Sequence, residues 1–194
     1  WALSGTPGTL NFLAGGNLIF DNAQLTNSNS LTRWDYVGIA GTGNVLFNNS
    51  VLVTGFGGNM TFTAAAPSGN ISLVDVLGNL SILKTSVTGG DITLIAGHDV
   101  VSPSAEAVNK AAIGSSRVFG GIRLDGPGNL TITAGNDFRG DVIQTTFGAA
   151  LTGPGFLLTN GIANVTAGRN IGGPTRGADS TANDLLAPFG LAVS

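Results

Sequence analysis

Residues Gly128–Phe138, with the sequence GNLTITAGNDF, decide the fold. Three further segments align with this one without gaps: Gly8–Leu18, Gly90–Val100 and Gly161–Ile171. In each, the third and fifth positions are apolar, Ala-Gly fills the seventh and eighth, and the tenth is Asn or Asp. Alternation with a period of two predicts a short strand with one buried face. The small Ala and the following Gly-x-Asn/Asp predict a tight corner, because these residues tolerate left-handed backbone angles.

Partial copies of the unit fill the middle of the chain. Four segments begin with Gly-Asn and then alternate: Gly43–Phe47, Gly58–Phe62, Gly69–Leu73 and Gly78–Ile82. Gly69 and Gly90 lie 21 positions apart with Gly78 between them, which predicts two strands in each coil of about 21 residues.

The repeat predicts an all-β fold, a single-stranded right-handed parallel β-helix with a few loop excursions. About nine coils stacked at about 4.8 Å predict a rod about 45 Å long. A sandwich of antiparallel hairpins is the alternative, but hairpins do not require the turn residues to recur at one place in the unit. Residues 1–194 are expected to form one domain, in which 101–121 and 172–194 are loop or capping excursions.

Composition limits the classes of function. Lys and Arg together number eight and do not cluster, which disfavours a nucleic-acid partner. The absence of cysteine excludes disulfides, thiolate metal sites and a cysteine nucleophile. No run of 18 apolar residues occurs, so no transmembrane helix is expected. The chain begins at Trp1 without a signal sequence, and we expect it to be processed or part of a longer protein.

The unit in Gly128–Phe138 and Gly90–Val100 resembles the haemagglutinin repeats of filamentous-haemagglutinin-type bacterial exoproteins. The resemblance implies a right-handed β-helix, two-partner secretion across the outer membrane, and an adhesive rod at the cell surface. The secretion domain of that family carries Asn-Pro-Asn motifs that do not occur here, and only Asn160-Gly161-Ile162 is similar to one of them. The chain is therefore expected to be a repeat region of such a protein, or a distant relative that does not use that export route.

Two short segments are candidate binding sites. Arg139-Gly140-Asp141 would present a guanidinium and a carboxylate to an integrin-like receptor if it lay in a flexible loop. The alternative is a turn at Gly140 with two solvated charges. Trp34 and Tyr36 would stack on a sugar ring, or would cap one end of the core, which is the favoured interpretation.

A catalytic site is also considered. The carboxylates Asp91, Asp99, Asp125, Asp137 and Asp141, with Arg123 and Arg139 as basic partners, would suit a β-helical polysaccharide lyase or hydrolase. Most of them occupy turn positions where Asn serves in other copies, which argues against acid/base work. His98 occupies a turn position filled elsewhere by Gly16, Asn136 and Arg169, and is expected at the surface. No catalytic residue, metal ligand or cofactor is predicted.

The sequence therefore favours a secreted, cell-surface structural or adhesive segment over an enzyme. Its expected partners are a host-cell or surface receptor or glycan, or further copies of the chain. A carbohydrate-active β-helical enzyme and a sugar-binding module are the alternatives.

Overall fold

The structure is a computed structural model that describes residues 6–27, 32–74, 81–102, 121–140, 143–145, 148–150, 155–172 and 190–193. These residues form strands and turns and no helix, which confirms the all-β prediction. The first six strands are β1 (Gly8–Ala14), β2 (Leu18–Asp21), β3 (Gln24–Thr26), β4 (Trp34–Ala40), β5 (Val45–Asn48) and β6 (Val51–Thr54). The next six are β7 (Met60–Ala64), β8 (Ile71–Ser72), β9 (Ile82–Thr85), β10 (Ile92–Ala96), β11 (Val100–Ser102) and β12 (Gly121–Ala134). The last six are β13 (Asp137–Gly140), β14 (Ile143–Thr145), β15 (Gly148–Ala150), β16 (Gly155–Ala167), β17 (Asn170–Gly172) and β18 (Gly190–Val193).

The strands pair in three parallel stacks. The first stack contains β1, β4, β7, β10 and the second halves of β12 and β16. The second stack contains β2, β5, β8, β11, β13 and β17. The third contains β3, β6, β9, the first halves of β12 and β16, and β18. The chain visits the three stacks in this order and then returns to the first, so equivalent residues of successive copies lie side by side.

The two long strands connect the third stack to the first. β12 changes register between Leu124 and Pro127, and each half then pairs with a different neighbour. As a result, the first and third stacks form one strongly curled ten-stranded sheet, and the second stack forms a separate six-stranded sheet. The short antiparallel pair β14–β15 lies outside both sheets.

The inward positions of the repeat form the core, as the alternation predicts. Leu130 and Ile132 are fully buried and pair in register with Ile92 and Leu94. Aromatic rings extend the core towards the first strands. Phe20 stacks on Phe47 with ring centroids 5.0 Å apart, and Phe62 meets Phe47 edge-on at 4.9 Å. Burying each such side chain stabilises the fold by about 1.5–3 kcal/mol.

The coil length differs from the prediction. Residues that occupy the same corner in successive copies lie 26 to 38 positions apart, not about 21. The described residues contain six strands in each stack, where the shorter period predicted about nine coils. The prediction was wrong because it measured the coil from Gly69 to Gly90, which precede strands of two different stacks, the second and the first.

The partial copies therefore fall into three classes, one for each stack, and Ile82 at the end of the fourth copy begins β9 of the third stack. Gly58–Phe62 leads into β7 of the first stack, whereas Gly43–Phe47 and Gly69–Leu73 lead into β5 and β8 of the second. The corners between these strands differ in length, since Ala14 and Asn17 are closer in sequence than Ala64 and Asn70. A gapless alignment cannot match units whose corners differ in length. This is why the sequence alone did not separate the partial copies by stack.

Candidate functional site

A ladder of Asn and Asp side chains follows the corner between the first and second stacks. Each side-chain oxygen accepts a hydrogen bond from the backbone N–H of the equivalent residue in the next copy, at 2.8 to 3.1 Å. The members are Asn17, Asn44, Asn70, Asp99, Asp137 and Asn170. Asn and Asp exchange freely along this ladder because either side chain supplies the acceptor oxygen. We name it the corner ladder.

A second ladder lines the start of the first stack. Asp35, Asn59 and Asp91 accept from the backbone N–H groups of Asn59, Asp91 and Asn129 in turn, at 2.7 to 2.8 Å. These carboxylates and amides hold neighbouring coils together, and they lie on the opposite side of the first stack from the corner ladder.

Charged residues concentrate at the later part of the corner ladder. Asp99 accepts from the guanidinium of Arg139 at 3.3 Å, and Asp137 accepts from Arg169 Nε at 3.0 Å. The hydrogen bond from Arg169 holds the pKa of Asp137 below its usual value, against a smaller opposing effect of burial. The same contact raises the pKa of Arg169. Both carboxylates are therefore engaged by an arginine and by backbone N–H groups at once.

His98 lies beside this charged cluster. Its side chain is 47% exposed, and Nδ1 is 3.2 Å from both Asn70 Oδ1 and Asp99 Oδ1. Its backbone N–H donates to Gly69 O, and Asn136 N–H donates to His98 O. The prediction of a surface position is confirmed.

Four of the five carboxylates considered for catalysis belong to the described residues, and these four do not converge. Asp99 and Asp137 are adjacent on the corner ladder, and Asp91 belongs to the second ladder. Asp125 lies on the third stack, 2.8 Å from Lys84 Nζ and 3.1 Å from Arg123 Nη2. Asp141 lies outside the described residues. Among the described residues, no three His, Asp or Glu side chains are placed to hold a metal ion.

Arg139 and Gly140 lie in a strand and not in a loop. Arg139 pairs with Val101 on one side and with Gly172 on the other, and Gly140 pairs with Ser102. A receptor-binding Arg-Gly-Asp segment needs the geometry of a flexible loop. Arg139 and Gly140 lie in a strand, so for these two residues the loop hypothesis is wrong. The third residue, Asp141, is the one outside the described part of the chain.

Tyr36 is fully buried, and its hydroxyl donates to Val53 O at 3.1 Å. Burial raises the pKa of Tyr36 to about 12. Because no face of this ring is accessible, the hypothesis that Tyr36 stacks on a sugar is wrong. Trp34 packs partly buried against the core, and its indole Nε1 is buried without a hydrogen-bond partner. Both residues belong to the core, but their strand β4 lies between β1 and β7, so they do not cap an end of the core as the favoured interpretation expected.

Trp34–Ala40 is a copy of the repeat that sequence comparison missed. It pairs residue by residue with Gly8–Ala14. Two substitutions hide the match, because Trp34 stands at the Gly position and Gly38 stands where the first copy has Phe12. A Cβ on Gly38 would come within 2.5 Å of the Phe62 ring, so the next copy fills the space that Gly38 leaves. The surviving sequence signal is the apolar alternation that ends in Ala40-Gly41.

The long insertions of the chain all leave the stacks at one corner, between the second and third. In the first two copies this corner is two residues long: Asn22 and Ala23, then Asn49 and Ser50. In the later copies it comprises residues 73–81, 103–120, 141–154 and 173–189. The strand ends that bracket these insertions pair with one another, as Ser102 with Gly140 and Gly155 with Gly190. We name this edge the insertion corner.

The insertion corner unites two excursions that the sequence suggested separately. The proposed excursion at 101–121 falls here, although Val101, Ser102 and Gly121 themselves belong to strands. The excursion proposed at 172–194 starts here too, with Gly172 in β17 and with β18 returning to the third stack. Between these strands, only Leu73, Val74, Ser81, β14 and β15 belong to the described part of the chain.

Comparison with known proteins gives no family. No protein-family model matches the sequence, and neither a curated protein nor a solved structure matches it.

Within the described ranges, no helix is long and apolar enough to cross a membrane.

Proposed function

We propose that this chain is a segment of a right-handed parallel β-helix in an extracellular bacterial surface protein, and that it acts by adhesion or assembly. The three-stack order supports the β-helix, since each copy passes once through all three stacks before the next begins. Crossovers between parallel strands of one sheet are right-handed in nearly all proteins, which supports the hand. The secreted, cell-surface location follows from the resemblance of its repeat to those of haemagglutinin-type exoproteins.

The insertion corner is the observation that carries the adhesive function. The other two corners are at most seven residues long, and a ladder of side-chain hydrogen bonds lines each of them. The insertion corner changes from two residues to a long segment between neighbouring copies without disturbing the pairing of the strands on either side. A rigid scaffold that presents long connections along one edge is an arrangement that proteins use for recognition.

The charges of the described residues support binding over catalysis. Asp99, Asp137 and Asp91 each accept hydrogen bonds from backbone groups of the next copy. A general acid or base must exchange a proton with a substrate, and a carboxylate held in this way is a poor proton carrier. A receptor or glycan on a host or other surface is the partner that we propose for the insertion corner.

The test removes one insertion and keeps the scaffold. Residues 103–120 are replaced by the dipeptide Asn-Ser that the second copy uses at Asn49 and Ser50. A second variant carries residues 103–120 in scrambled order, and Asn11→Ser is a matched surface control away from this corner. Circular dichroism and thermal unfolding establish the fold of each variant. Binding is measured with fluorescent protein on cultured mammalian cells and on a glycan array.

We expect the wild-type chain and Asn11→Ser to bind equally. The shortened and scrambled variants should remain folded and lose at least about tenfold in affinity, or about 1.4 kcal/mol. Equal binding by all four folded proteins would show that residues 103–120 are not part of the binding site. The same replacement of residues 173–189 would then test whether that insertion binds. A folded wild-type chain that binds no cell and no glycan would contradict the adhesive function.

A further inference from the structure

One inward row of the third stack changes from polar to apolar between its early and late copies. In register, the row consists of Asn27, Thr54, Thr85, Leu124 and Leu158. Asn27, Thr54 and Thr85 are only 1%, 0% and 0% exposed. The neighbouring inward row is apolar in the same five copies, with Leu25, Leu52, Leu83, Ile122 and Phe156. We name Asn27, Thr54 and Thr85 the polar row.

The oxygen atoms of the polar row lack hydrogen-bond partners. Asn27 Oδ1, Thr54 Oγ1 and Thr85 Oγ1 are buried, and none of them bonds to a residue that the structure describes. The other half of the Asn27 amide is satisfied, because Nδ2 donates to Thr32 O at 2.9 Å. Buried polar atoms in folded proteins nearly always have a partner, either in the protein or in an ordered water molecule. Three exceptions in successive copies of one row point to a shared partner.

Two aromatic residues bring further polar groups to this part of the core. The hydroxyl of Tyr36 donates to Val53 O at 3.1 Å, so it lies next to Thr54 in the chain's third stack and can still accept a hydrogen bond. Trp34 begins β4, the strand that follows Asn27, and its Nε1 is also buried without a partner among the described residues. The early copies thus concentrate hydroxyl, amide and indole groups where the later copies have leucine.

We propose that ordered water molecules lie along the polar row and bridge Asn27, Thr54 and Thr85. Neighbouring strands of the stack are about 4.8 Å apart. A water molecule that makes two bent hydrogen bonds of about 2.8 Å spans about 4.6 Å, which matches the step from one copy to the next. The polar row therefore repeats at the distance that one bridging water requires.

The chemistry of the row selects water over other ligands. Asn27 Oδ1 only accepts, whereas the hydroxyls of Thr54 and Thr85 both donate and accept. Water can meet all three needs, and it normally fills buried sites that offer two to four polar partners. A buried cation would need an opposite charge, and the polar row contains no carboxylate.

The smaller side chains of the polar row leave room for these molecules. Thr85 pairs with Leu124, and Thr has one heavy atom fewer than Leu. Because the strands stay in register, each Thr of the row leaves space of about one oxygen atom relative to the leucine copies. This inference concerns the scaffold and does not depend on the proposed adhesive function.

A high-resolution crystal structure of the wild-type chain is the first test. Ordered density is expected within about 2.7–3.2 Å of Thr54 Oγ1 and of Thr85 Oγ1. Leu124 and Leu158 are the matched control, because they continue the same row and should have no such density beside them.

The second test removes the hydroxyls in solution and keeps the shape of the side chains. Thr54→Val and Thr85→Val each leave a bridging water and the remaining hydroxyl short of a partner. The equilibrium constant for unfolding should therefore rise about tenfold in each variant. The double variant should lose no more than either single variant, because the two hydroxyls share the same water.

Thr93→Val controls for the change from Thr to Val in a strand. Thr93 is half-buried on the outward side of the first stack, in register with Thr131. Its replacement should change the equilibrium constant for unfolding by less than about threefold. Urea denaturation followed by circular dichroism gives this constant for all of the variants.

Either of two results would overturn the proposal. One is a high-resolution structure without ordered density beside Thr54 and Thr85. The other is a pair of Val variants that are each more stable than the wild type, with gains that add in the double variant, because a dry row would benefit from losing unsatisfied hydroxyls. If a Val variant does not fold, the crystal structure of the wild-type chain decides.

Discussion

The backbone N–H of Asp137 donates to Oδ1 of Asp99 at 3.1 Å, although 38 residues separate the two along the chain. Asp137 repeats the arrangement with its own carboxylate, which accepts from the N–H and the Nδ2 of Asn170. Each copy of the repeat is thus tied to the next by a side chain at the same corner. The Asn or Asp of the motif should therefore contribute to the free energy of unfolding.

Removing one acceptor of the corner ladder should destabilise the protein. Asp137→Ala leaves the N–H of Asn170 without its partner, and we expect a loss of about 1–3 kcal/mol in the free energy of unfolding. Asp137→Asn keeps an acceptor oxygen and loses the ion pair with Arg169, whose side chain is 63% exposed, so it should cost less than Asp137→Ala, about 1 kcal/mol. Urea denaturation followed by circular dichroism measures both. Equal losses would show that the charge, and not the acceptor, matters at this corner.

Part of the loss of stability in acid should come from protonation of Asp137. Arg169 holds the pKa of Asp137 below its usual value of 3.8 in the folded chain. The stabilisation is therefore complete above that value and is lost as the pH falls through the lower folded pKa. Melting temperatures measured from about pH 6 to about pH 2 should drop less steeply below pH 4 for Asp137→Asn than for the wild type. Melting temperatures that fall equally with pH in both proteins would contradict this role of Asp137.

The single tyrosine reports on the integrity of the core. Burial raises the pKa of Tyr36 to about 12 from its usual value of 10. Because the folded pKa is the higher, unfolding becomes easier as the pH rises from the unfolded to the folded value. Ultraviolet titration should show phenolate only near pH 12, or earlier if the chain unfolds first. A reversible titration near pH 10 in a chain that stays folded would place the ring in solvent.

The glycines at the eighth position of the repeat should differ in their tolerance of alanine. A Cβ on Gly135 would come within 2.0 Å of Gly97 O, whereas a Cβ on Gly15, in the first copy, meets nothing within 4 Å. Gly135→Ala should therefore destabilise by about 1–3 kcal/mol. Gly15→Ala, at the equivalent position, should be close to neutral. Thermal unfolding of the pair tests whether backbone stacking is as close as the structure shows.

Much of the fold could be predicted from four complete copies of the repeat. The inward direction of Leu130 and Ile132 and the Asn/Asp corner follow from local rules of strand alternation and turn chemistry. The Trp34–Ala40 copy could not be recognised in this way, because Gly38 is compensated by Phe62 from another strand. A residue whose role is to leave space for a distant side chain has no local signature.

The candidate site was predictable only in pieces. The excursions were visible as breaks in the repeat, but their common origin at one corner depends on the pairing of strands such as Gly155 with Gly190. Tyr36 was assigned to sugar stacking as one alternative because an aromatic ring with a hydroxyl suits a surface or a core equally well. Only the three-dimensional neighbours of its ring distinguish the two.

The corner ladder also has a direction. Its side-chain oxygens always accept from the copy that comes later in the chain, from Asn17 to Asn44 and finally from Asp137 to Asn170. At this corner a finished copy therefore presents a ready acceptor to residues that follow it in the chain. At the insertion corner the direction is reversed, because Ser50 Oγ accepts from Ala23 N–H and Ser81 Oγ accepts from Ser50 N–H. A polypeptide that folds from its amino-terminal end would add each coil to an existing template, so the order of synthesis and the order of assembly coincide.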